Sequence, residues 1–152
     1  MKRFRFSLRP VAVLRAHRET RAREAFATAV HLYVQSEQEL NLTRTRMRTL
    51  EGALFASRHE TYRAAEAALL LADYRRECTA EGEAERRVIA ARDEMQRRRA
   101  DYLEAHRKLE VVRRLEAKAR DEHRLAAGRE EQAEFDDYAG RSAARRAALS
   151  TS

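Results

Sequence analysis

Pro10 is the only proline in this chain of 152 residues, and only four glycines accompany it. Beyond Pro10 almost nothing is built to interrupt a helix. Proline removes a backbone donor and clashes with the preceding turn, and glycine weakens a helix interior by ~1 kcal/mol. Ala, Glu, Lys, Leu and Arg account for 95 residues. Such a composition belongs to a long helix or coiled coil rather than to a globular enzyme. A structure of that kind encloses no pocket, so its function lies in what its surface and its ends touch.

The chain is of a size for one domain. Leu, Val, Ile and Phe total 28, and 38% of the residues are charged. Few apolar residues with many charges border on disorder, but disordered chains are rich in Pro, Gly and Ser. This one is rich in Ala and Leu, which suffices for a narrow helix–helix seam. The net charge is +7, carried by 29 Arg and 3 Lys. A basic excess suits acidic partners, among them nucleic acid, anionic lipid or an acidic protein face, and equally suits a plain solvated surface. Cys78 is the single cysteine, so no internal disulfide forms and a reducing compartment fits. The longest apolar run, at 67–72, is far short of the ~20 residues of a membrane span. The Arg-rich start runs directly into the helical pattern and reads as part of the mature protein.

Heptad columns organise the rest. Phe26, Tyr33, Leu40, Met47 and Leu54 stand seven apart, with Ala22, Ala29, Thr43 and Leu50 as companions. A second column runs Tyr74, Glu81, Val88, Met95, Tyr102, Leu109, beside Leu70, Ala84, Ala91, Ala105, Val112 and Ala119. An apolar repeat of seven sustained this long predicts a supercoiled seam. The two columns are out of phase by one residue. The slip marks either a stutter or a turn where the chain doubles back. Ser57-Arg58-His59-Glu60 has the spacing of a capping box, which favours a turn at about 56–63. Thr79 and Gly82 among acidic residues make 78–84 the rival. The expected fold is all-α: helix 1 over about 8–56 with Ser7 as its cap, helix 2 over about 63–145, then a frayed tail. A parallel homodimer would use the same heptads.

The chemistry of catalysis is missing from this pattern. The four glycines stand apart, so there is no phosphate loop. None of His17, His31, His59, His106 and His123 has a Glu three residues before it or a second His four away, as helix-borne metal sites require. No cofactor, metal or enzymatic activity is expected. The tyrosines at seam spacing, Tyr33 and Tyr102, read as packing. Tyr74, in the less regular early part of helix 2, is kept as a surface candidate, whereas Cys78 reads as a small seam-flanking residue. Arg44, Arg46 and Arg48 point in different directions on a helix and read as a solvated face rather than a phosphate-binding strip.

The ends are the asymmetric part. Residues 1–24 hold eight Lys/Arg and two Glu, whereas 129–137, Arg-Glu-Glu-Gln-Ala-Glu-Phe-Asp-Asp, carries five acids and one Arg. Phe4, Phe6 and Leu8 alternate with Arg3, Arg5 and Arg9, a two-faced strip when extended. Phe135 and Tyr138 are aromatic in an otherwise polar tail. A hairpin places both termini at one end, where these features would form a docking head or would close the seam.

Positions 1–15, Met-Lys-Arg-Phe-Arg-Phe-Ser-Leu-Arg-Pro-Val-Ala-Val-Leu-Arg, resemble the opening of the FliJ family of flagellar type III export, Phe-x-Phe-x-Leu followed by Leu-Arg. Positions 129–139 resemble its closing charged run with an acidic-aromatic step. Residues 52–70 depart from the family pattern, so the turn stays open. The resemblance implies a long antiparallel two-helix coiled-coil hairpin, similar to the stalk of rotary ATPases. It also implies a non-enzymatic component of protein export, cytoplasmic and peripheral at the inner face of the cell membrane through its partners. Those partners would be the hexameric flagellar export ATPase, the cytoplasmic domain of the export gate and substrate chaperones. By that analogy Phe4, Phe6, Leu8, Val11, Leu14, Arg15, Glu134 and Phe135 contact the ATPase ring, and Tyr74 and Cys78 the gate. Nucleic acid is not expected as a partner on this reading. A basic coiled-coil binder of nucleic acid or ribosomes is the alternative from another class, and the stalk of a virulence-type secretion system the alternative within this one.

Overall fold

Helix α1 (Arg9–Ser57) and helix α2 (Ala64–Ser150) make up nearly all of the protein. They come from a computed structural model that describes residues 3–59 and 63–150. No strand occurs among the described residues, and the two helices pack against each other, the all-α hairpin expected from the heptads. The chain divides into two units: Met1–His17 with His106–Ser152, and Arg18–Ala105.

The termini of the helices explain their bounds. Leu8 supplies the first helical carbonyl, accepting from the Ala12 N–H at 2.9 Å, and the Arg9 N–H reaches back to Phe6 O at 3.2 Å. Pro10 therefore falls in the first turn, where its missing N–H leaves no bond unmade. Ser7 stands one position too early to be the cap. At the other end the Arg58 and His59 amides bond to Phe55 O and Ala56 O at 3.2 and 3.0 Å, which tightens the last turn and satisfies its carbonyls. The expected capping box takes a different form. Ser57 is the last residue of α1, and its hydroxyl donates to Leu54 O at 2.7 Å; Glu60, with the middle of the expected turn, lies outside the described residues. Helix α2 opens on the Arg63 carbonyl, which accepts from Glu66 and Ala67. Glu66 in that first turn complements the helix dipole. Thr79 and Gly82, the rival turn, lie inside α2.

In the unit Arg18–Ala105 the pairing is antiparallel: Phe26 meets Tyr102, Arg44 meets Glu81 and Glu85, and Glu51 meets Tyr74. The seam follows the heptad columns. Ala29, Leu40, Ala84 and Val88 are buried, and Tyr33 packs on the cluster of Leu40, Ala84 and Val88. Phe26 and Tyr102 stack with centroids 6.1 Å apart and planes within 10°. Three polar residues are also buried: Glu19, Ser36 and Thr43. Each sits on a column extended by sevens, and each is satisfied locally. The Ser36 hydroxyl donates to Tyr33 O at 2.7 Å and the Thr43 hydroxyl to Glu39 O at 3.1 Å. Both Glu19 oxygens accept from Arg23 Nη2 at 2.8 Å, and this bond holds Arg23's proton above its ordinary affinity. A buried carboxylate is tolerated only with such a partner.

Charged side chains flank this seam. Arg44 bridges Glu81 at 2.9 Å and Glu85 at 2.8 Å, Arg46 reaches Glu77 at 3.2 Å, and Arg87 reaches Glu39 at 3.9 Å. Pairs of this sort at seam-flanking positions select orientation and register more than they add stability.

In the unit Met1–His17 with His106–Ser152 the antiparallel order recurs. Arg15 donates to Lys108 O at 2.9 Å, Arg9 lies 4.0 Å from Glu116, and Phe4 meets His123. Leu109 and Val112 are its buried apolar residues, with Val112 1% exposed.

Candidate functional site

The extended start of the chain is tied down by its aromatic residues. Phe4 is half-buried, and its ring meets the His123 ring edge-on, centroids 5.5 Å apart at 67°. The Arg120 guanidinium lies 5.7 Å from the Phe4 centroid, within reach of the ring quadrupole. Arg120 also pairs with Glu116 at 3.1 Å, and Glu116 faces Arg9. Phe6 is half-buried and lends its carbonyl to the turn into α1. Leu8, Val11 and Leu14 are exposed at 40%, 37% and 48%. Arg15 is half-buried and spends a donor on the Lys108 carbonyl. Of the expected ring-contact residues at the start of the chain, then, Phe4 and Arg15 hold the seam, while Leu8, Val11 and Leu14 form an apolar edge open to solvent.

Past His123, helix α2 runs on to Ser150. Every residue of 128–150 is exposed except Ser142. Phe135 and Tyr138 are 70% and 75% exposed. Glu131, Glu134, Phe135 and Tyr138 line one shallow recess. Tyr138 with Arg141, Ser142, Arg145 and Arg146 lines the next. The two halves of the expected docking head are therefore staggered. Phe4 sits at His123, and Phe135 lies twelve residues further along the helix, roughly 18 Å on at ~1.5 Å per residue.

Tyr74 and Cys78 lie one turn apart on α2. The half-buried Tyr74 hydroxyl donates to Glu51 Oε1 at 3.0 Å. That hydrogen bond, reinforced by the neighbouring Cys78 thiol, pushes the Tyr74 pKa up to about 12. Tyr74 thus works as a strut between the helices, and Cys78 is exposed beside it.

The struts Phe4–His123, Tyr74–Glu51 and Arg44–Glu81 have no signature in the sequence. Each depends on the antiparallel register, which column spacing alone does not supply. Arg44 and Arg46, read from sequence as part of a solvated face, instead face carboxylates of α2; the hydrogen bond to Glu81 raises the Arg44 pKa above its ordinary value. No cluster of three His, Cys, Asp or Glu that could hold a metal occurs among the described residues. No helix among them is long and apolar enough to cross a membrane.

The sequence matches the family model described as "Flagellar FliJ protein" over residues 4–148. No curated protein and no solved structure matches it.

Proposed function

The chain belongs to the FliJ family and is a component of flagellar protein export, and from that premise we propose that it acts as a non-enzymatic stalk docking its terminal end in the hexameric export ATPase ring. The observation that carries this reading is the staggered end. A hairpin stiffened by cross-seam struts bears a naked acidic-aromatic helix past the point where Phe4 closes the seam. Phe135, Tyr138 and Glu134 face outward there, with Leu8, Val11 and Leu14 lower on the same unit. A stiff asymmetric element biases a ring of nucleotide sites by contacting its subunits unequally, and unequal contact is all that coupling requires.

On the same reading the region around Tyr74 and Cys78 meets the cytoplasmic domain of the export gate, and the protein escorts substrate chaperones. It would then sit in the cytoplasm at the inner face of the membrane, held there by its partners. The neutralised Arg44 and Arg46 weigh against the alternative of a nucleic-acid binder.

The test is steady-state ATP turnover by the flagellar export ATPase with and without the full chain. Wild type is expected to raise turnover and to bind the ring. Phe135→Ser is expected to weaken both, with circular dichroism unchanged. Absence of binding, together with an unchanged rate, refutes the docking proposal. A mobility shift of single- or double-stranded nucleic acid that collapses with salt would favour the binder instead.

A further inference from the structure

We propose that the stretch of α2 beyond His123 pairs antiparallel with the same stretch of a second copy of this chain, about a twofold axis near Tyr138. This partner is distinct from the ATPase ring, and the inference does not rest on ring docking.

One helix face carries the features that favour pairing. Phe135, Tyr138, Ser142 and Leu149 stand at i, i+3, i+7 and i+14, a spacing that lines them up on one side. Phe135, Tyr138 and Leu149 are 70–81% exposed. Charge is distributed about Tyr138 in a self-complementary way. Five acids stand before it within 130–137, and Arg141, Arg145 and Arg146 follow it. The surface repeats this division. The recess on one side of Tyr138 is lined by Glu131 and Glu134, and the recess on the other by Arg141, Arg145 and Arg146, with Tyr138 common to both. A second copy turned end for end lays each acidic recess against a basic one, twice, with Tyr138 beside its own counterpart. This is the isologous arrangement of a twofold dimer. A parallel pairing would stack acid on acid and base on base, which flanking charges in paired helices select against.

Local contacts hold these charges only loosely: Asp136 accepts from Gln132 at 3.0 Å, Arg146 donates to the Ser142 hydroxyl at 3.3 Å, and Arg141 pairs with Asp137 at 3.9 Å, more than three-quarters exposed on both sides. Such a pair contributes little. The stretch is also long enough, roughly 40 Å from His123 to Ser150 at ~1.5 Å per residue. Pairing covers Phe135 and Tyr138, so a partner that needs those residues has to separate the two copies first.

The experiment measures the mass of the full chain in solution against concentration and salt. Light scattering is expected to show the 17.7 kDa chain doubling in mass as concentration rises at low salt and reverting as salt is added. Two charge-reversed proteins make the reading specific: Glu131→Arg with Glu134→Arg, and Arg141→Glu with Arg145→Glu. Each alone is expected to dimerise at least about tenfold more weakly than wild type, because each now opposes like charges. An equimolar mixture is expected to recover a mixed dimer at least as tight as wild type. Unchanged thermal unfolding in both variants establishes that the seam is intact. A wild-type chain monomeric up to about 0.1 mM at low salt, or a mixture that stays monomeric, overturns the proposal and leaves the face to the export partners.

Discussion

Leu40→Ala should destabilise the protein by about 3 kcal/mol, and the figure can be built from the seam. Leu40 is 8% exposed and sits with Ala84 and Val88 under Tyr33. Shortening it to alanine withdraws three carbons at ~0.8 kcal/mol each, about 2.4 kcal/mol of transfer free energy. A cavity term adds to that where the surroundings cannot close in. Here it is small, because the cluster is one layer thick and the half-buried Tyr33 can settle inward. For a chain of this size ~3 kcal/mol lowers the melting midpoint by roughly 10 °C. The control is Leu69→Ala on the same helix α2 as Val88. Leu69 is 66% exposed, and its removal should stay within about 0.5 kcal/mol. Urea and thermal unfolding followed by far-ultraviolet circular dichroism give both values. A Leu40→Ala loss under ~1 kcal/mol, or equal losses at the two positions, would refute the heptad seam as the source of stability.

Three further outcomes follow from particular contacts. Tyr74 should ionise near pH 12 instead of the usual ~10 in an ultraviolet titration that Tyr74→Phe assigns, and Glu51→Gln should bring it down. Its folded pKa is the raised one, so its contribution to stability is full below about pH 10 and is lost as pH rises towards 12; Tyr74→Phe should flatten that part of the stability profile. Arg44→Ala, which strips both Glu81 and Glu85 of their partner, should lower the melting midpoint at low salt, with the gap closing near ~1 M salt as screening takes over. Gly140→Ala should slow amide hydrogen exchange around 136–144, because nothing stands within 4 Å of an added Cβ and alanine favours the helix by ~1 kcal/mol. Unaltered exchange there would mean that the stretch is not helical in solution.

The columns that define the seam are legible in the sequence because burial in a coiled coil repeats by sevens, as Leu40, Val88 and Leu109 illustrate. The all-α class and the family resemblance at both ends are legible for similar reasons: lack of breakers, and motifs that are local. Glu19 and Ser36 escape notice because hydropathy places charged and hydroxyl residues outside, whereas their column position places them inside and a neighbour on the same helix satisfies them. The struts escape notice because a pair such as Arg44–Glu81 depends on how two distant stretches align. The candidate site is legible in its residue types but not in its arrangement. The stagger between Phe4 and Phe135 follows from where α1 begins and where the chain doubles back; Pro10 marks the first, but no residue so unambiguous marks the second.

The antiparallel pairing also dictates an order of assembly. Partners near the turn are close in sequence: Tyr74 and Glu51 are separated by 23 positions, Arg15 and Lys108 by 93. Closing the longer loop directly costs about 1.2 kcal/mol more in chain entropy. Zipping outward from the turn avoids that search, since each formed layer brings the next within reach. The clamp of Phe4 on His123 is then the final tooth to engage and the first to release, so the end proposed to meet the ATPase ring is also the end where the chain opens with least effort.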